Sequence, residues 1–285
     1  MAGGVDLHTH TIASDGTLRP RELVAEAARR GVRVLAITDH DSTEGLAEAF
    51  EEARHHPPLV VVPGIEINCD VEGAEIHILG YCMDYEADWF RDFCRAQREE
   101  RRARVYRMAE RLAELGMPID PERVFALVQE GSAGRPHVAR VMVERGYVKT
   151  VREAFDRYLA AGKPGHVQRK KLTPEDAVRI LRRAGGVPVF AHPAAAKRGV
   201  TVGEDAIAAM AAAGLGGLEV DHRDNPPEAR TRLRELAAEL DLLVTGASDY
   251  HGSGKENRLG ENTTDPAVVD ALLAQAASPT AVLTA

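Results

Sequence analysis

Histidines and acids recur in this chain immediately after, or within, short apolar runs. His8-Thr9-His10 closes the first run, Asp39-His40-Asp41 follows the second, and Glu66 ends the third. His77 lies in the fourth, His192-Pro193 follows the fifth, Glu219-Val220-Asp221-His222 ends the sixth, and Ser248-Asp249-Tyr250-His251 follows the seventh. Imidazole and carboxylate groups suit Zn, Mn or Fe. Taken singly, each placement has an ordinary explanation: a histidine after a strand is usually a hydrogen-bonded loop residue, and an acid there is often a helix N-cap. Taken together they do not. So many polar groups converging without a cation would suffer desolvation and like-charge repulsion. A metal cluster removes both costs, and that is the chemistry the pattern predicts. His8 and His10 add a geometric point. Side chains at i and i+2 of an extended segment share a face, so both rings can reach one ion.

For these groups to meet, the runs must be neighbouring strands that end on one rim. The sequence predicts strands at Val5–His8, Val32–Thr38, Leu59–Ile65, Glu75–Tyr81, Val187–Ala191, Leu218–Val220 and Leu242–Gly246. Helical patterns at Arg19–Arg30, Glu44–Arg54, Pro174–Ala184, Asp205–Ala213 and Pro227–Leu240 separate most of them. This alternation predicts an α/β fold, a parallel sheet or barrel with its site at the carboxyl ends of the strands. The third and fourth strands are joined only by Asn68–Ala74, too short for a crossover helix. They are expected as an antiparallel hairpin that distorts a regular barrel.

Residues 88–165 break the alternation and read as helical throughout, which predicts an inserted subdomain capping a barrel made of residues 1–87 and 166–285. The first helix, about Asp88–Leu115, carries Arg91, Arg95, Arg98, Arg101, Arg102, Arg104, Arg107 and Arg111, interleaved with Glu99, Glu100 and Glu110. A solvated face with paired charges is expected there rather than a nucleic-acid rail. Shorter helices are expected near Pro121–Gln129, Pro136–Arg145 and Val151–Ala160.

Composition narrows the function further. Lys and Arg number 36 against 44 Asp and Glu, a formal net charge of −8, so binding of nucleic acid by bulk charge is excluded and any such contact must be local. Cys69, Cys82 and Cys94 form no C-x-x-C pair and read as reduced thiols of a cytosolic protein. No apolar run reaches the roughly 18–20 residues of a membrane span, and no signal peptide is apparent, so a cytoplasmic location is expected.

At the chemical motifs the sequence resembles the PHP family (polymerase and histidinol phosphatase), specifically its small nucleotide-phosphatase branch. The resemblance is carried by Asp6-Leu7-His8-Thr9-His10, Ser14-Asp15-Gly16, Thr38-Asp39-His40, Pro63-Gly64-Ile65-Glu66, Glu75-Ile76-His77, Ala191-His192-Pro193, Glu219-Val220-Asp221-His222 and Ser248-Asp249-Tyr250-His251. Gly134-Arg135-Pro136-His137 and Gly162-Lys163-Pro164 in the helical segment resemble the same branch. The resemblance implies a distorted seven-stranded (β/α) barrel of TIM-like type holding two or three divalent ions, Mn, Fe or Zn. It places His8, His10, Glu66 and Asp249 around the first ion, Glu66, His77 and His192 around the second, and Asp15, His40 and His251 around the third. Many relatives have His where this chain has Asp15, which leaves the third position less firmly implied.

Three divalent ions against the carboxylates of Glu66, Asp249 and Asp15 leave a net positive site that suits a dianionic phosphate monoester. Metal-bound water is acidified from about 15.7 to near 7, so a hydroxide bridging the first two ions is the expected nucleophile. Asp249, His192 and His222 are candidates for proton transfer, and His222 for phosphate binding instead. Asp6 and Asp39 are expected to accept ligand imidazole N–H bonds. Arg135, His137 and Lys163 are expected to contact substrate phosphate, with His166 and Arg169 as companions. The expected substrate is a small nucleotide, a nucleoside 5′-monophosphate or 3′,5′-bisphosphate. The alternatives are 5′→3′ exonuclease action on short RNA, histidinol-phosphate hydrolysis, and a non-catalytic metal-binding module. No membrane partner is expected.

Overall fold

A computed structural model describes residues 4–71, 74–128, 133–167, 172–196 and 201–278. Seven strands form one sheet in chain order. They are β1 (Gly4–Asp6), β2 (Val32–Ile37), β3 (Val60–Val71), β4 (Ala74–Tyr81), β5 (Val187–Phe190), β6 (Gly217–Asp221) and β7 (Leu243–Gly246). β1, β2 and β3 are parallel, as are β5, β6 and β7. β4 runs against both neighbours. The expected hairpin is therefore present, paired from Gly64–Tyr81 to Val71–Ala74.

The third strand is longer than its sequence signal, running to Val71 rather than ending at Ile65. Its alternation explains why. Ile65, Ile67 and Cys69 are fully buried against the helices, so the period of two continues past the expected end. Glu66 and Asn68 consequently share the opposite face, and Asn68 stands directly across from His77. The same alternation holds elsewhere. Leu35, Ile37, Val61, Ile78 and Phe190 pack with the flanking helices, whereas Ala36, Val62, Leu79 and Val189 join a separate cluster on the other face.

Helices α1 (Pro20–Arg29), α2 (Leu46–Ala53), α7 (Pro174–Arg183), α8 (Glu204–Ala212) and α9 (Pro227–Glu239) fall where periodicity predicts them. A C-terminal helix, α10 (Pro266–Gln275), was not predicted; its Val269 and Leu272 close the inner apolar cluster. The edge strands β1 and β7 meet beyond their ends. Thr9 bridges Tyr250 in parallel sense, with the His10 amide donating to the Tyr250 carbonyl at 2.8 Å.

Between β4 and α7 lie α3 (Asp88–Glu114), α4 (Pro121–Ala126), α5 (Arg135–Glu144), α6 (Val151–Ala154) and a π-helical turn at Phe155–Leu159. Their apolar residues form their own cluster, from Val105 and Met108 to Leu159 and Val167. α3 belongs to both layers: its Phe90 and Cys94 pack into the sheet-side core, and its Val105, Met108 and Leu112 into the helical cluster. No helix among the described residues is long and apolar enough to cross a membrane.

Candidate metal centre

One carboxylate organises the site. Glu66, central in β3 and 1% exposed, is surrounded by imidazole nitrogens. Its Oε2 lies 3.2 Å from His8 Nε2, 3.1 Å from His10 Nε2 and 3.1 Å from His40 Nδ1. Its Oε1 lies 2.7 Å from His77 Nδ1 and 3.5 Å from His192 Nε2. Asp249 Oδ1 approaches His10 Nε2 at 3.2 Å and His8 Nε2 at 3.4 Å. A second group forms around Asp15, 3.1 Å from His251 Nε2, 3.7 Å from His10 Nδ1 and 3.9 Å from His40 Nε2. The structure thus gathers every residue expected to bind metal. His40 is the departure: it faces Glu66 through one nitrogen and Asp15 through the other, instead of belonging to Asp15 alone.

These side chains are held by their backbones as much as by contacts. His8 and His10 lie just beyond β1, not within it, yet Thr9 keeps the segment extended by donating its hydroxyl to the Ala36 carbonyl at 2.6 Å. His192 and Asp249 both have left-handed backbones, with φ of 34° and 52°. Such conformations are unfavourable for side chains with a Cβ and persist where surrounding structure fixes them. Gly16 is required for a steric reason: a Cβ there would sit 2.4 Å from the His10 carbonyl oxygen.

The bracing acids differ from expectation. Asp6 accepts from the amides of Ser248 and Gly260 at 3.0 and 2.8 Å. Asp39 accepts from the Thr11 amide and hydroxyl, both at 2.7 Å, and from Ser14 Oγ at 2.6 Å. Neither touches a ligand imidazole, because both sit below the rim and tie together the loops leaving it. The imidazole brace is Glu219 instead. Its Oε1 is 2.9 Å from His8 Nδ1, and its Oε2 accepts from the His192 amide at 2.9 Å. A carboxylate behind a ligand ring fixes which nitrogen faces the ion.

Electrostatics give the test of whether a cation fits. Burial alone would depress His10, but Asp249 and Glu66 overcome it and hold the ring up at about 9. His8 is likewise held well above its ordinary value, against burial, by Glu219, Glu66 and Asp249. Glu66, despite its own burial, is held well below the carboxylate range by His40, His77 and His8. His251 is pushed down to about 4 by burial and by the positive charge of His10 and Lys255. The groups are therefore in competition for protons. Several buried atoms also lack any aligned hydrogen bond: both oxygens of Glu66, Asp15 Oδ1, His77 Nδ1 and His251 Nε2. Unsatisfied, mutually facing N and O donors are what divalent ions require, so these residues fit the metals that the ligand chemistry implies. His8–His10–Glu66, His40–Glu66–His77 and His10–Asp15–His40–His251 each present ligand atoms within 4.8 Å of one another.

The cluster opens into a cavity of about 290 Å³ whose wall includes Asp15, His40, His77 and His192 at one end. Arg101 and Arg104 of α3, with Arg135 and His137 from the start of α5, also line it. Arg135 and His137 are thus placed as expected; His137 Nδ1 accepts from the Gly134 amide at 3.2 Å. Lys163 is exposed and is not among the lining residues of this cavity. His166 pairs with Arg104 at 3.5 Å, and Arg169 lies outside the described residues. His222 is fully buried, 3.7 Å from Asp249 Oδ2, and does not line the cavity.

Comparison with known proteins decides the family. A model of the PHP domain matches residues 6–167. The chain is 37% identical over 266 residues to the 5′-3′ exoribonuclease Rnm of Salmonella typhimurium, covering 93% of this chain and 91% of that protein. This chain belongs to the PHP family. It is also 32% identical over 271 residues to the 3′,5′-nucleoside bisphosphate phosphatase of Chromobacterium violaceum, covering 92% of each. A solved structure from Bifidobacterium adolescentis, provisionally described as a metal-dependent phosphoesterase, aligns with a TM-score of 0.89 at 38% identity over 98% of both chains.

In this PHP-family metal-dependent phosphoesterase, the cavity residues that sequence reasoning missed include Asn68, Arg101, Arg104 and Lys255. Asn68 Nδ2 lies 3.3 Å from both His40 Nδ1 and Asp41 Oδ2. Arg101 Nε donates to the buried Asp41 at 2.6 Å, and its Nη2 is buried without a partner. The expectation of a solvated arginine helix holds for only one face. Arg91, Arg95 and Arg111 pair with Asp88, Asp92 and Glu114 in the open, whereas Arg98, Arg101 and Arg104 turn inward. Their spacing of three was the available signal.

Proposed function

We propose that this phosphoesterase hydrolyses phosphate monoesters of small nucleotides, nucleoside 5′-monophosphates or 3′,5′-bisphosphates. One observation carries the reading: a single cavity joins the Glu66-centred cluster to three arginines, Arg101, Arg104 and Arg135. A ligand spanning it must be anionic at the reacting end and offer acceptors at the other. Ile76, Met108, Phe155 and Phe190 supply apolar wall between the ends, which suits a base or ribose better than an amine such as histidinol. The bridge between Thr9 and Tyr250 supports reading the sheet as a closed, distorted seven-stranded barrel, with residues 88–165 as its substrate cap.

In this reading His8, His10, Glu66 and Asp249 hold a first ion, Glu66, His77 and His192 a second, and Asp15, His40 and His251 a third. Two or three divalent ions, Mn, Fe or Zn, would supply Lewis acidity and an acidified water. The chain's own residues do the rest. Glu219 orients His8 and anchors the His192 amide. His222 Nδ1 accepts from the Asp224 amide at 3.1 Å, and its buried Nε2 faces Asp249 Oδ2 at 3.7 Å, beyond hydrogen-bond reach. His222 does not line the cavity, which argues against a phosphate ligand there. His192, which lines the cavity, is then the better placed of the two to face a leaving oxygen.

A second reading, 5′→3′ trimming of short RNA, is favoured by a further cavity of about 150 Å³ on the far side of Asp15 and His137, bordered by Arg140. A substrate continuing past the reacting phosphate could enter it. The deciding experiment is phosphate and nucleotide release by Mn-, Fe- or Zn-loaded protein from 5′-AMP, adenosine 3′,5′-bisphosphate, histidinol phosphate and a 5′-phosphorylated trinucleotide. Preferred release from the mononucleotides supports the first reading. Preference for the trinucleotide replaces it with the second, and inertness of the loaded protein on all four overturns both.

A further inference from the structure

Lys255 has no role in the chemistry described so far, yet its side chain reaches the cluster. Its Nζ donates to Asp249 Oδ2 at 3.2 Å, and the residue also lines the main cavity beside His40, His77 and His192. The ammonium is a third exposed, while Asp249 is buried. The position is built, not incidental. A short 3₁₀ turn at Gly252–Gly254 carries the chain from His251 back toward the cavity. Gly252 has φ of 70°, and a Cβ there would sit 2.0 Å from Thr17 Oγ1, so only glycine lets the turn approach this closely. The Ser253 amide donates to the same Thr17 hydroxyl at 2.9 Å, and the Thr17 amide donates to the His251 carbonyl at 3.1 Å. The loop bearing Lys255 is thereby fastened to the loop bearing Asp15.

The two oxygens of Asp249 have different neighbours. Oδ1 faces His8, His10 and His251, and Oδ2 faces Lys255 and His222. If Oδ1 serves a cation, Asp249 no longer needs the ammonium to balance its charge, and a lysine beside divalent ions is electrostatically unfavourable. An arriving phosphate dianion reverses that cost. The arginines of the cavity come from α3 and the start of α5, whereas Lys255 stands within one contact of a ligand carboxylate.

We propose that Lys255 is a catalytic residue, its ammonium binding a non-bridging oxygen of the phosphoryl group that reacts. The inference rests on the phosphoesterase reading. In the hydrolysis, a water oxygen bonds to phosphorus, the ester P–O bond breaks, and the water's proton passes to the leaving oxygen. Lys255 gives and takes no proton; it stabilises charge on the phosphoryl oxygens as the bond order changes.

The test compares wild type, Lys255→Met and Lys255→Arg after loading with Mn²⁺. Three quantities are measured: metal content by mass spectrometry, kcat and KM on 5′-AMP, and the inhibition constant of orthophosphate. The expected result is unchanged metal content, a fall of about 10²-fold in kcat/KM for the Met variant, a weakening of orthophosphate inhibition by about 10-fold, and partial recovery with Arg. The proposal is overturned if the Met variant stays within about twofold of wild type in both kinetic quantities, or if its activity falls only in proportion to lost metal. A separate readout uncouples this inference from the activity. If wild type hydrolyses no ester but orthophosphate raises its unfolding temperature, loss of that shift in the Met variant keeps the oxyanion contact while the phosphoesterase reading fails.

Discussion

The two ends of the main cavity are built on opposite plans. At the strand-end cluster, groups from separate strands and the loops after them converge and almost every one is buried: five imidazoles surround Glu66, Glu219 braces His8, and Asp6 and Asp39 brace the rim loops. On the helical side, the cations come from one face of α3 and the first turn of α5, where Arg101 donates to Asp41 and Arg104 to the Val167 carbonyl. The difference separates two tasks. A site for divalent ions must fix distances to a few tenths of an ångström, which only rigid strands supply. A site that reads the rest of a substrate tolerates adjustment, and a helical layer with its own core can shift as a unit. Substitutions at the barrel end should therefore strike metal binding and kcat together, whereas those at the cap end should strike KM.

Glu66→Gln is the largest expected blow. The substitution removes the charge shared by every nearby imidazole while keeping the shape. Metal content should fall to near zero, and phosphate release should drop on the order of 10³-fold or more. Full metal occupancy in this variant, by mass spectrometry, would refute the cluster as drawn.

The pH dependence of metal uptake follows from the protons the cluster already holds. In the metal-free protein the His10 ring, held up at about 9, keeps its proton at neutral pH, and an ion must expel it. Because the folded value lies above the ordinary 6.5, that proton stabilises the metal-free fold fully below pH 6.5, and the contribution is lost as pH rises through about 9. Apparent metal affinity should thus climb with pH, by up to about tenfold per unit for each proton released, and flatten above pH 9. Titration calorimetry in two buffers of different ionisation enthalpy counts the protons. A pH-independent affinity with no proton release would show that the barrel end is not preloaded in this way.

Glu219→Gln tests the bracing rather than the ligands. Removing the charge behind His8 should weaken metal binding by about 10–100-fold, with the residual enzyme near normal once saturated. An effect as large as that of Glu66→Gln would mean that Glu219 is itself a ligand.

What could be read from the sequence follows the same division. The convergence was legible because histidines and acids recur at the ends of short apolar runs, and a period of two puts Glu66 on one face of β3; the grouping of His8, His10, Glu66, His77, His192 and Asp249 around ions came from the resemblance to the PHP family. The supporting groups were not legible. Nothing local distinguishes Glu219, which reaches an imidazole, from Asp6 and Asp39, which hold amides and hydroxyls; the outcome depends on how loops far apart in sequence fold over one another. β3 ran past its expected end because Ile67 and Cys69 continue an alternation that the polar residues between them obscure. Lys255 reaches the cavity only through the contact between Gly252 and Thr17, which no spacing encodes. Much of the cap end was lost by averaging α3 over all its arginines, when its faces differ.

That averaging can be undone by a pair of substitutions on one helix. Arg91 and Arg101 are of one type and lie ten residues apart on α3. Arg91 is more than half exposed and pairs with Asp88, an arrangement worth at most about 0.5 kcal/mol. Arg101 is nearly buried, donates to Asp41 and lines the cavity, and its Nη2 has no hydrogen-bond partner among the described residues. Arg101→Gln should raise KM on a nucleotide about 10-fold with kcat and metal content nearly unchanged, and should lower stability by about 1–3 kcal/mol because buried Asp41 keeps Asn68 but loses the charged Arg101. Arg91→Gln should change neither KM nor the unfolding temperature beyond error. Equal effects from the two would return α3 to a uniformly solvated helix and remove the cap from substrate recognition. Equal silence would do the same, leaving specificity to the barrel loops alone.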